Sequence, residues 1–162
     1  KVLPGGGLAL GALHEVAGGR NGAIDGAAAA LFAAGIAARA NGKVLWCVTR
    51  QDLFAPALAQ AGLLPGRVVY VEAGDEASLL ACFEEGLRHG GLGAVVAELA
   101  CLSMTASRRL QLAAEAGGTT ALVLRRAGGK PLAAARTRWS STTDPTTGRA
   151  ITRRVPALLV AS

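Results

Sequence analysis

An α/β fold built on a mainly parallel sheet is what this 162-residue sequence predicts, and three observations carry the prediction. Short apolar runs alternate with helical stretches along most of the chain, the pattern of βαβ units. One of those runs, KVLWCVT (43–49), is a continuous apolar run and another, GAVVAEL (93–99), reads as a buried strand, as expected where a sheet is covered on both faces. The character changes only near the end, where two strand-like stretches flank the turn Asp144-Pro145-Thr146-Thr147-Gly148 and imply an antiparallel hairpin.

Taken in order, residues 1–12 are glycine-rich and form an approach loop, and Leu13 to Ala17 forms the first strand. Gly18 to Gly22 makes a turn, and a long apolar helix follows, capped by Asn21 or Asp25 and ended at Asn41-Gly42. Lys43 to Thr49 is a central strand, and Phe54 to Ala61 is a short helix stopped by Gly62 and Pro65. Arg67 to Glu72 is the next strand. Asp75 to His89 is an amphipathic helix with Leu79, Leu80, Phe83 and Leu87 on one face. Gly93 to Leu99, a helix over Thr105 to Ala116 and a strand over Thr119 to Leu124 complete the parallel core, residues 13–126. Ala133 to Thr142 and Arg149 to Val160 form an edge hairpin, spanning 133–160, and the whole chain reads as one domain.

Composition narrows the class. Hydrophobic residues make up 51% and aromatics only 4%, so Ala, Val and Leu must build the core. The apolar run Ala23 to Ala38 is bounded by Asp25 and Arg39 and broken by Gly35, which favours a buried helix over a membrane span. Lys1 is followed closely by a proline and three glycines, not by the charged and apolar regions of a signal peptide, and the missing initiator methionine implies a trimmed chain. Cys47, Cys82 and Cys101 have no metal-ligand spacing and read as small buried hydrophobes of a reducing cytoplasm. No metal or cofactor is expected. The net charge of +6 permits an acidic partner such as nucleic acid.

Leu13 to Ala40 has the layout in which nucleotide-binding α/β proteins keep a phosphate loop, GxxxxGK[ST]. With Gly18 as the first glycine, the next required positions hold Ala23, Ile24 and Asp25. The lysine for the β- and γ-phosphates is an isoleucine, and the magnesium-holding hydroxyl is a carboxylate. Gly18, Gly19, Arg20, Asn21, Gly22 and Asp25 therefore form a degenerate nucleotide-binding turn, and no enzymatic activity is expected. His14 and His89 lack partners at catalytic spacing and read as structural.

The order of the pieces resembles the RecA-like three-layer core. More specifically, GGGLALGALHEVAG, GKVLWCVTRQDLFAPALAQAGL, EEGLRHGGLGAVVAEL, MTASRRLQLAAEAGGTTALVLRR and the later ARTRW resemble the ImuA family, the RecA-like accessory proteins of the bacterial ImuA–ImuB mutagenesis cassette. The resemblance covers nearly the whole chain. It implies a role in SOS-induced, error-prone translesion DNA synthesis with ImuB and, indirectly, an error-prone C-family DNA polymerase, with contact to RecA, in a cytoplasmic, nucleoid-associated setting and without a membrane.

Against the RecA pattern, Glu98 alone keeps an acid at the magnesium-strand position, and the catalytic glutamate is replaced by the run Thr49-Arg50-Gln51. The two DNA-binding loops shrink to Cys101–Thr105 and Arg125–Pro131. Arg125, Arg126, Lys130, Arg136, Arg138, Arg153 and Arg154 gather in the last third as candidate DNA or partner contacts, and equally as protection of a sheet edge. The expectation is a non-catalytic adaptor. A divergent RecA-type ATPase and a SulA-like cell-division inhibitor, another RecA-like core without a phosphate loop, are the alternatives.

Overall fold

A computed structural model describes residues 7–20, 22–125, 131–132 and 134–155. In chain order the elements are β1 (Leu13–Gly18), α1 (Gly22–Ala38), β2 (Lys43–Val48), α2 (Ala55–Gln60), β3 (Val68–Glu72), α3 (Glu76–His89), β4 (Leu92–Glu98), α4 (Met104–Gly117), β5 (Thr120–Arg125), β6 (Thr137–Thr143) and β7 (Ala150–Val155). They form one seven-stranded sheet in the order β3-β2-β4-β5-β1-β6-β7. Every neighbouring pair is parallel except β6 and β7, the antiparallel hairpin at one edge.

Helices cover both faces. α1 and α2 pack on Val16, Val44, Trp46, Val48, Ala94, Val96, Leu122, Leu124 and Trp139. α3 and α4 pack on the opposite face against Leu13, Cys47, Val95, Ala97, Ala121 and Val123. Strand residues alternate between these two cores because a pleated strand sends successive side chains to opposite sides. Alanines at 28, 29, 30, 33, 34 and 37 let α1 lie close on the sheet, and Phe32 completes the contact against the Trp139 ring at 5.3 Å. On the other face Leu79, Phe83 and Leu87 of α3 are fully buried, each contributing about 1.5–3 kcal/mol by leaving water. Asp75 caps α3 by accepting from the Ser78 amide at 2.8 Å, and Ser103 caps α4 by accepting from Ala106 N at 3.1 Å.

The structure shifts several expected boundaries. The hairpin's first strand starts at Thr137, not Ala133, because the preceding segment turns over the sheet: Ala135 N bonds Leu132 O, and Arg136 N bonds Leu13 O. The second strand is described to Val155, and residues 156–160 of its expected span lie outside the described residues, as do 1–6 of the approach loop. The cysteines do not share one environment: Cys47 is buried, Cys82 is intermediate and Cys101 is exposed, since it follows the end of β4. Burial pushes the Cys47 thiol up to about 12, with Cys82 adding to the shift. No helix among the described residues is long and apolar enough to cross a membrane.

Candidate functional site

β1 delivers the chain at Gly18 to the turn before α1, the place of a phosphate loop. The geometry there is one of packing. A side chain at Gly18 would press on the backbone of Asp25 and Gly26, within 3.2–3.3 Å, so its absence lets α1 approach the end of β1. A side chain at Gly19 would overlap Asp25 Oδ2 and Thr142 Cγ2. Gly19 also donates its amide to Ser141 O at 2.8 Å, fastening the turn to β6. Arg20 is exposed, and Asn21 lies outside the described residues.

Asp25 reaches beyond its own helix. It is 0% exposed, and its Oδ1 accepts the Thr143 amide at 2.7 Å, so the carboxylate ties α1 to the end of β6. Ile24, at the phosphate-loop lysine position, is 61% exposed.

A cleft of about 860 Å³ opens along the C-terminal ends of the parallel strands, where α/β sheets place ligands. Gly18, Thr49, Glu98, Leu124 and Arg125 line it from the strand ends, Gly22, Ala23 and Gly26 from the start of α1, and Leu53, Phe54 and Ala57 from around α2. Glu98 keeps its place there, one strand removed from β1 because β5 runs between β4 and β1. Arg50 pairs with Asp52 at 3.3 Å on the rim, and Glu76 Oε1 accepts the Ala100 amide at 2.8 Å. Among the described residues, no group of three or more His, Cys, Asp or Glu is arranged to hold a metal.

Beneath this edge lies a cluster that the sequence did not reveal. Glu15 in β1 is 1% exposed and pairs with Arg125 Nε at 2.6 Å and with Arg138 Nε at 3.4 Å. Its Oε2 also accepts the Leu132 amide at 2.8 Å, while Arg138 donates from Nε and Nη2 to Leu132 O. The two arginines and the glutamate thus hold Leu132 in the segment that leads into β6. Beside them, His14 is completely buried. The Ala9 carbonyl, 2.9 Å away, must accept from Nε2–H. In the neutral ring, Nδ1 then accepts from the Thr137 hydroxyl at 2.8 Å, and Thr137 Oγ1 accepts from Trp139 Nε1 at 2.9 Å.

No family model matches the sequence. Protein ImuA of Caulobacter vibrioides strain NA1000 / CB15N is 44% identical over 139 residues, covering 80% of this chain. Protein ImuA of C. vibrioides strain ATCC 19089 / CIP 103742 / CB 15 matches with the same values. This chain belongs to the ImuA family. It spans 57% of the length of those curated ImuA proteins. The crystal structure of SulA from Pseudomonas aeruginosa is also similar, with a TM-score of 0.55 and 27% identity over 69% of this chain and 95% of the SulA chain.

Within this ImuA-family chain, the basic residues of the last third separate into two groups. Arg125 and Arg138 are 7% and 9% exposed and engaged with Glu15, which leaves their side chains little surface for DNA or a partner. Arg136, Arg153 and Arg154 are exposed, while Arg126 and Lys130 lie outside the described residues. Glu15 escaped sequence reasoning because β1 is buried on both faces and leaves no alternation to read. The one available signal was the pair His14-Glu15 in a strand otherwise made of Leu, Val, Ala and Gly.

Proposed function

We propose that this chain is a non-catalytic adaptor of the ImuA–ImuB mutagenesis system, acting in SOS-induced, error-prone translesion synthesis. ImuB is its direct partner, RecA a second contact, and the error-prone C-family polymerase is reached through ImuB. The observation that supports this reading is Asp25. Phosphoryl transfer needs a lysine and a magnesium-binding hydroxyl at this turn. Here the hydroxyl position is a carboxylate withdrawn from the cleft to hold Thr143, and the lysine position is the exposed Ile24. ImuA-family membership supplies the cassette.

Adaptor work on this scaffold takes place on surfaces. Among the described residues, Arg136, Arg153 and Arg154 are exposed basic candidates for DNA or an acidic partner. Co-purification of the tagged chain with ImuB from DNA-damaged cells tests the reading. Retention of ImuB is expected with or without ATP, and failure to retain either ImuB or RecA overturns it.

The SulA likeness favours a second reading, a cell-division inhibitor. Binding to a tubulin-like division protein in place of ImuB decides for that reading.

A further inference from the structure

The two edges of the sheet are built differently. At one edge, β7 carries Arg153 and Arg154, charges that oppose pairing with another chain. At the other edge, β3 reads VVYVE, with regular register on β2 and no proline, lysine or bulge. Val69 is 50% exposed and Tyr70 41%, and Leu64 just before the strand is 58% exposed. Its outward backbone groups face away from the sheet, ready for another strand.

Charge along this edge is polarised. Arg67 and Lys43 lie at its start, and Glu72 and Asp75 at its end. Arg67 donates to the main-chain oxygens of Ala38, Ala40 and Gly42, and Lys43 Nζ to that of Gly66. Those acceptors are main-chain carbonyls, not carboxylates. The Glu72 side chain has no hydrogen bond or ion pair among the described residues.

We infer that β3 is the interface for a second copy of this chain, added antiparallel about a two-fold axis perpendicular to the sheet at Tyr70. An axis of that kind pairs residues of the same face. Tyr70 then stands opposite Tyr70 of the second copy, and Val69 opposite Val71. Glu72 stands opposite Val68, beside Arg67. Antiparallel pairing brings the acidic end of one edge to the basic end of the other, whereas a parallel addition would set like charges together. The product is a continuous sheet of twice the seven strands, with the arginine-bearing β7 edges outermost. This assembly does not depend on the adaptor reading.

Sedimentation equilibrium of the full chain, from nanomolar to high micromolar concentration, tests the proposal. A dimer is expected, and Val69→Lys is expected to abolish it. Glu72→Lys should weaken it about tenfold, by losing two symmetry-related charge pairs. Leu112→Lys, exposed on α4, should leave it unchanged. Thermal melting of each variant separates loss of pairing from loss of fold. In a Cys101→Ser background, Tyr70→Cys should oxidise to a disulfide-linked dimer. A monomer at all concentrations overturns the proposal. So does a dimer that survives Val69→Lys, or a head-to-tail series of higher oligomers.

Discussion

At the scale of single residues, Glu15 and His14 decide how the end of β1 is held. Glu15 is the buried acceptor for two buried guanidinium groups and a backbone amide. Replacing one partner of a buried ion pair leaves the others uncompensated, which costs about 3–5 kcal/mol. Glu15→Gln is therefore expected to lower unfolding stability by that order, measured by urea titration; a change below about 1 kcal/mol would show that the cluster is not anchoring the fold. His14 gives a pH dependence. Burial is the largest cause lowering its pKa; the Ala9 carbonyl opposes the shift, and Arg136 adds to the lowering. Because the folded pKa lies below the unfolded value of about 6.5, the unfolded chain binds the proton more readily. The contribution is complete above the unfolded pKa and is lost as pH falls through the folded value. Chemical denaturation below about pH 6.5 should show that decline, and His14→Gln should flatten it.

At the scale of elements, the glycine-rich turn and α1 form one packed unit with β6. Gly18 allows the helix to approach, Gly19 makes room for the Asp25 carboxylate, and Asp25 closes the end of β6. Restoring phosphate-loop chemistry is predicted to damage this unit without creating an enzyme. The double variant Ile24→Lys, Asp25→Ser is expected to release no phosphate from ATP. It should also lose about 1–3 kcal/mol of stability, since the part-buried Thr143 amide loses its carboxylate acceptor. A phosphate-release assay beside a denaturant melt checks both halves, and appearance of ATPase activity would argue for a dormant nucleotide site. Much of this unit was legible beforehand: the strand, turn and helix fall within a residue or two of their expected bounds. The role of Asp25 was not, because its partner lies 118 residues away and no local pattern links them.

At the scale of the whole molecule, charge and apolar exposure are distributed between opposite edges. The hairpin edge carries Arg153 and Arg154 in water, while β3 presents Val69 and Tyr70. If the basic edge touches nucleic acid, single-stranded DNA binding should weaken steeply with salt, and replacing both Arg153 and Arg154 by Ala should reduce the log–log salt slope by about one unit per lost phosphate contact. An unchanged slope would remove the hairpin from DNA binding. Arg125 and Arg138 stand apart from that group, buried beside Glu15, for a physical reason. The sequence shows an arginine's charge but not the buried carboxylate that neutralises it.

Periodicity, apolar runs and turn residues determined the alternation of elements, the parallel core, the final hairpin and the loss of lysine and hydroxyl from the phosphate-loop positions. These are local properties, written in residues a few positions apart. Only the tertiary structure decided that Asp25 closes β6, that Glu15 gathers Arg125 and Arg138, and that β3 forms the edge opposite the hairpin. Those outcomes depend on strand order, which brings distant residues such as Glu15 and Arg138 together across β1 and β6. Burial then strengthens their attraction by removing water from between the charges.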